Sequence, residues 1–269
     1  MCSNNNITVT LLGTGTSGGV PSLGCQCEVC RSKDPRDHRL RCVALVESAV
    51  GTRVLIDCGP DIRQQLMPLP FKPFDAILMT HIHYDHVGGI DDLRPFSVFG
   101  PINLYGDEKT CDHVRQIMPY CFGEHLYPGV PRLELHTIRP HEPLRIGDLE
   151  IIPIEVMHGK MPILGFRIGK FAYITDMKTI GDAELPYLDG VETLVVNALR
   201  FEKEHHSHQL VADAAEFAHK IGAKQTYITH VCHHIGLYDE AEKRMPEGLS
   251  LAYDGLKLNM ERYMPNKSC

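Results

Sequence analysis

Within six residues the chain places His81, His83, Asp85 and His86, an H-x-H-x-D-H run that follows the apolar stretch 75–80. Alternate residues leaving an extended strand project to the same side, so His81 and His83 can grip one cation. Asp85 and His86, on the turn that opens a following helix, can reach a second cation beside it. Gly88 and Gly89 would let that helix start close to the metals. Imidazole and carboxylate together suit zinc, manganese or iron, and not calcium. The competing reading is a solvated loop of histidines, which four ligand-type side chains at the end of a buried strand argue against.

Two cations need further ligands, and later strand ends offer them. His158 follows 151–157, Asp176 follows 171–175 and His230 follows 225–229. Each alone reads as an ordinary loop histidine or a capping aspartate. The repeated pattern, an apolar strand and then one ligand, points to a shared site. Asp176, alone between the others, is suited to bridge both ions through its two oxygens.

In order and in strand-end position, His81, His83, Asp85, His86, His158, Asp176 and His230 resemble the seven ligands of the dinuclear metallo-β-lactamase superfamily. The resemblance covers nearly the whole chain and implies an α/β fold, a four-layer αββα sandwich. It implies one metal on His81, His83 and His158 and another on Asp85, His86 and His230, with Asp176 and a hydroxide shared. Antibiotic hydrolysis is disfavoured, because secreted β-lactamases of this fold lack the bridging aspartate and carry signal peptides. Residues 1–10 hold no basic n-region and no apolar h-region.

A second cluster, Cys25, Cys27 and Cys30, spells C-x-C-x-x-C. Three thiolates are one ligand short of a closed tetrahedral zinc site. His233 and His234, just past His230, both offer a fourth. This combination is similar to the PhnP-type phosphodiesterases of the carbon–phosphorus lyase pathway, which implies a structural zinc on Cys25, Cys27, Cys30 and His233. Free thiols in a loop are the alternative. Cys42, Cys58, Cys111, Cys121 and Cys232 read as buried small apolar residues, and Cys2 and Cys269 lie in the tails.

Two other motifs need weighing. Gly13, Gly15 and Gly18 spell G-x-G-x-x-G after an apolar strand, but Gly19, Pro21 and Gly24 follow where a dinucleotide site needs a helix. A turn that brings backbone close to a site is the better reading. His205-His206-x-His208 precedes a helical stretch, 209–221, with Ser207 as its expected N-cap and His208 at the positive helix end. The superfamily resemblance implies that His208 contacts the phosphoryl group; His205 and His206 have no assigned role. Asp57, at another strand end, resembles the family's aspartate that orients metal-bound groups without being a ligand.

The elements that must position these residues follow from composition and pattern. The chain has 269 residues, 43% hydrophobic and 23% charged, with 27 basic and 34 acidic side chains for a net charge of −7. Those figures describe an ordinary globular chain without a general nucleic-acid surface. No apolar run approaches the roughly 20 residues of a membrane span. Ten cysteines and sixteen histidines without a secretion signal point to a metalloprotein of the reducing cytoplasm. No linker or repeat divides residues 1–269, so one domain is expected, with a Cys-rich zinc loop near 25–30. Strands are expected at 7–12, 42–47, 52–57, 74–80, 102–105, 149–157, 165–168, 171–175, 192–196 and 225–229. Several are near-continuous apolar runs, the mark of strands buried on both faces. Helices are expected at 209–221, 60–66, 88–93 and 107–118.

These features together predict a metal-dependent hydrolase. The leading expectation is a dinuclear phosphodiesterase acting on a small or cyclic phosphate diester, with Asp176 and His208 central to catalysis. It would carry two catalytic divalent ions, zinc or manganese with iron also suited, and one structural zinc. The main alternative, a tRNA 3′-processing ribonuclease, shares the metal motif and a late histidine but resembles the chain less, because no long Gly/Pro-rich arm is present and the net charge is negative. A thioester or lactone hydrolase, an octanoyl- or lipoyl-processing role included, is a further alternative, although it would not need an anion-binding His208. A non-catalytic zinc scaffold would not need seven further ligands. The expected partner is a small phosphodiester, with neither membrane nor general nucleic-acid binding; a homodimer is compatible with the sequence.

Overall fold

In a computed structural model describing residues 6–123 and 129–261, the apolar runs pair into two seven-stranded sheets. Cys2 and Cys269 lie outside the described residues. The first sheet holds β1 (Asn6–Gly13), β2 (Val43–Ser48), β3 (Arg53–Ile56), β4 (Ala76–Leu78), β5 (Ile102–Gly106) and β6 (Leu133–Thr137) in that spatial order. The second holds β7 (Leu144–Ile146), β8 (Leu149–His158), β9 (Met161–Ile168), β10 (Phe171–Ile174), β11 (Thr193–Asn197), β12 (Gln225–Thr229) and β13 (Leu249–Leu251), also in order. The last strand, β14 (Leu256–Glu261), returns to pair antiparallel with β1. In each sheet one half is antiparallel and the other parallel, β3 to β6 in the first and β10 to β13 in the second.

Side chains two apart on a strand share a face, so the doubly buried strands sort their residues between two cores. Ile7, Val9, Leu11, Val46, Val54 and Ile56 face the second sheet and meet Ile151, Phe166, Phe171 and Tyr173. From the same strands Leu45 and Leu55 face outward, against a helical layer.

Helices α1 (Glu28–Arg31), α2 (Ile62–Leu66) and α3 (Tyr84–Val87) are about one turn each. The longer α4 (Glu108–Ile117) and α5 (Val211–Lys220) cover the two outer faces, and α6 (Tyr238–Lys243) adds to the second. Cys111 and Val114 of α4 pack on Ile77 and Leu104, while Ala214, Phe217 and Ala218 of α5 pack on Leu194 and Ile228. The four-layer αββα sandwich is therefore present.

Two helix expectations change. The stretch 88–93 is not an α-helix: α3 ends at Val87 and a 3-10 segment runs Ile90–Phe99. Gly88 and Gly89 end the helix rather than start it. The requirement is close approach, since a Cβ on Gly89 would overlap the Gly59 carbonyl and one on Gly59 would overlap that of Asp85. Nor is Ser207 the N-cap of α5. That position is Leu210, whose amide donates to the Asp213 carboxylate at 2.9 Å, so His208 lies short of the helix end.

The glycine loop starts no helix before Glu28. A Cβ on Gly13 would overlap the Arg41 carbonyl. Farther along, the Thr16 amide donates to the Val231 carbonyl at 3.0 Å. The loop thus brings backbone against the strand end that bears His230.

Candidate active site

All seven expected ligands gather at one end of the sandwich, where strand ends of both sheets meet. His81 to His86 follow β4, His158 ends β8, Asp176 follows β10 and His230 follows β12. Three of the site's residues take left-handed backbone: Asp57 (φ 65°), Asp176 (φ 58°) and His230 (φ 55°). Such conformations are costly and persist where packing enforces them. Here each ends a strand and turns its side chain into the shared hollow. Asp and His tolerate this region better than β-branched residues do.

Hydrogen bonding fixes which imidazole nitrogens are free. Asp57, fully buried, accepts from His86 Nδ1 at 2.7 Å and from the Thr80 amide at 2.8 Å. The Thr80 hydroxyl donates to the same carboxylate, so its oxygen accepts from His81 Nδ1 at 3.0 Å. His158 Nδ1 donates to the Asp176 backbone carbonyl at 2.7 Å. Each ring therefore keeps its proton on Nδ1 and leaves a lone pair on Nε2. Sequence reasoning missed Thr80. It also missed Thr175, whose hydroxyl donates to Asp176 at 2.7 Å, and Asn197, which pairs with both backbone groups of Met177.

These lone pairs fit cations. His81 Nε2 and His83 Nδ1 face one another at 3.0 Å, and buried His86 Nε2 has no hydrogen-bond partner. Ligand atoms lie within 4.8 Å of one another in three groups: Asp85, His86, Asp176 and His230; His81, His83 and Asp176; and His158, Asp176 and His208. Asp176 belongs to all three. The His158 ring lies 5.6 Å from that of His81 and 5.1 Å from that of His83, on the same hollow. Burial opposes charge on His86, yet the Asp176 and Asp57 carboxylates outweigh it and hold its pKa well above the usual imidazole value. A pocket that draws a proton there has room for a metal's positive charge.

Removing Asp57 tests this second layer. Asp57→Ala would free the His86 ring and strand the Thr80 amide, so metal affinity should fall roughly 10–100-fold. A metal titration of the purified variant checks this; unchanged affinity would mean that His86 is oriented by something else.

His208 is brought within 4.0 Å of Asp176, its Nδ1 toward Oδ2. That Nδ1 is buried without a hydrogen-bond partner. Burial first, and then the His230 ring, push the His208 pKa down to about 3. The ring is thus neutral at pH 7. His205 packs on it and His206 is exposed.

The cysteine cluster lies apart from this hollow. Cys25 and Cys27 Sγ lie 3.4 and 3.3 Å from His233 Nδ1, and Cys30 joins them within ligand distance. His233, not His234, thus faces the three sulfurs. The His233 hydrogen bond pulls the Cys27 thiol down to about 6, which favours the thiolate a metal needs. Cys27→Ser should release one zinc per chain and lower the melting temperature by about 5–10 °C, as expected for a loss of roughly 2–3 kcal/mol. Metal analysis and calorimetry check this, and an unchanged zinc content would return the three cysteines to free thiols.

The fold and the two clusters define a class. The chain belongs to the metallo-β-lactamase superfamily: the sequence model of the β-lactamase superfamily domain matches residues 52–231. Within it, the chain is similar to the PhnP family. It shares 39% identity with a solved diphosphatase of the PhnP family, covering 96% of this chain and 99% of that one with a TM-score of 0.88. It is also 42% identical over 247 residues to an octanoyltransferase of Porphyromonas gingivalis, covering 92% of this chain and 50% of that protein. A ribonuclease Z of Bradyrhizobium is 32% identical over 163 residues, 58% of this chain and 48% of the relative. The chain spans about half the length of these curated relatives.

Proposed function

We propose that this protein is a dinuclear-metal phosphodiesterase that hydrolyses a small or cyclic phosphate diester. The observation that carries the reading is Asp176, a fully buried carboxylate shared by three groups of ligand atoms. One oxygen faces His86 and His230 at 3.4 and 3.2 Å, and the other faces His81 and His208 at 3.9 and 4.0 Å. His81, His83 and His158 would hold one ion, and Asp85, His86 and His230 the other, with Asp176 common to both. Two such ions, zinc, manganese or iron, would acidify a water molecule and polarise the phosphoryl oxygens. Asp57 and Thr80 hold His86 and His81 in the tautomers that leave Nε2 free. His208, neutral and beside Asp176, presents an N–H to a non-bridging phosphoryl oxygen. A relative described as a diphosphatase supports phosphoryl chemistry.

The octanoyltransferase relative favours a second reading, acyl transfer or thioester cleavage, although its name describes a protein twice the length of the match. One apolar groove among the described residues, about 510 Å³ and lined by Leu66, Phe71, Phe74 and Phe96, lies outside the cluster and includes none of its residues. Assays on bis-aryl phosphate, cyclic ribose phosphate, cyclic nucleotide, acyl thioester and precursor tRNA, each with manganese and with zinc, separate the readings. Phosphodiester turnover is the expected result, and a chain that cleaves only thioesters would overturn it.

A further inference from the structure

The loop that carries Cys25, Cys27 and Cys30 is tied to the active site beside His230. The Val231 amide donates to the Thr14 carbonyl at 3.1 Å, and the Val231 carbonyl accepts from the Thr16 amide at 3.0 Å. From this pairing one branch of the chain runs through Val20 to the three cysteines, and the other runs straight on to His233. The cysteine cluster rejoins the two branches, because its fourth member is His233. His230 is thus held by β12 before it and by a closed ring after it.

Little else closes that ring. α1 is a single turn, too short to hold itself in water, and the apolar contact around it is small: Val20, Val29 and Cys30, with Leu237 against them. The Val20 and Arg39 backbones pair at 2.9 and 2.7 Å, but that pairing ends before the cysteines. A metal on the four side chains supplies the tie. His230 has most to lose from its release, since its left-handed backbone (φ 55°) persists only while its neighbours enforce it. The Cys232 amide still donates to the Leu199 carbonyl at 3.0 Å, so the segment would slacken and not unfold.

The cluster also carries the means of release. Of the described cysteines, Cys25 and Cys27 alone are partly exposed. Cys27 caps α1, and the amide of Cys30, three residues on, lies 3.5 Å from Cys27 Sγ. The two sulfurs lie within 4.8 Å of one another. C-x-x-C spacing across one helical turn suits a disulfide.

We propose that Cys27 and Cys30 form a redox switch on the active site. Their oxidation to a disulfide frees the zinc, slackens the segment 231–233 and weakens the cation held by Asp85, His86 and His230. The oxidant is a peroxide. The Cys27 thiolate attacks its O–O bond, giving a sulfenic acid and hydroxide. The Cys30 thiolate then displaces the second hydroxide and forms the S–S bond. Two thiolates, one peroxide and two protons thus become one disulfide and two waters, and a dithiol reverses the change. This rests on the two-cation reading of the hollow and not on its substrate.

The test uses protein with manganese in the hollow and zinc on the cysteines. Hydrogen peroxide should release about one zinc per chain to a chromophoric chelator and leave a Cys27–Cys30 disulfide in the peptide mass map. One of the two manganese ions should then bind roughly 10–100-fold more weakly, read from free manganese by electron paramagnetic resonance. Dithiothreitol with zinc should restore both. Cys27→Ser protein should show the weaker manganese affinity without oxidant and no further change with it, which sets aside oxidation of the buried cysteines. His233→Cys, which keeps four ligands, should hold zinc until oxidised. The reversible shift in the wild-type chain decides the matter even if the serine variant does not fold. Zinc release with manganese affinity unchanged would overturn the switch, as would peroxide treatment that leaves the zinc bound. A hollow that takes up neither manganese nor zinc in either state would overturn the two-cation site and the switch with it.

Discussion

Asp176→Asn protein is expected to lose roughly 10⁴-fold or more in kcat/KM, about 5.5 kcal/mol of transition-state stabilisation, while keeping its fold. The size follows from position. One carboxylate lies among the rings of His81, His86, His208 and His230, with an oxygen toward each side of the hollow. Burial opposes its charge, but the His230 and His86 rings outweigh that cost and hold its pKa well below the usual carboxylate range. Removing the charge therefore weakens both cation positions at once. Asparagine is the informative replacement, because the residue sits at φ 58° and asparagine tolerates that conformation. Alanine there adds backbone strain of about 1–2 kcal/mol, which would blur the comparison. Metal content, melting temperature and kcat/KM of the asparagine variant, measured together, decide the matter. Wild-type turnover with two metals retained would sink the bridging role.

The residues of this site were legible because chemistry and position coincide in them. His81, His83, His158, Asp176 and His230 each follow an apolar run, and that placement survives folding unchanged. What supports them was less legible. Thr80 and Thr175 are ordinary strand residues until tertiary contacts turn their hydroxyls onto Asp57 and Asp176. The left-handed turns at Asp57, Asp176 and His230 leave no local mark beyond a tolerant residue type. Ser207 looked like a helix cap by composition, but its amide and hydroxyl meet His205 and the helix begins at Val211. The choice between His233 and His234 turns on which ring faces the sulfurs, and spacing does not settle that. Among the strands, β6 and β7 are short and half exposed, with no continuous apolar run to betray them. For β14 the only local signal is the alternation of Leu256, Leu258 and Met260.

His208→Ala should cost roughly 10²–10³ in rate, the range seen when one donor to a developing anionic oxygen is removed. Two roles are open to this residue by position, and they differ in what they predict. As a proton donor to the leaving group, His208 would have to be an imidazolium at working pH. Burial and the His230 ring push its pKa down to about 3, so the charged form is populated only well below neutrality. With the pKa lowered, protonation is lost as pH rises past about 3, and no His208-linked limb should appear in the rate profile between about pH 5 and 9. A neutral ring can still hold a phosphoryl oxygen through its N–H. That role predicts similar losses for a nitrophenolate leaving group, which needs no proton, and for an alkoxide, which does. Metal content and melting temperature should stay near wild type, because His208 is outside the seven matched ligands. Equal losses on both leaving groups place the ring at the phosphoryl oxygen. A loss confined to the alkoxide substrate would assign it proton transfer instead, and an unchanged rate on both would remove it from the chemistry.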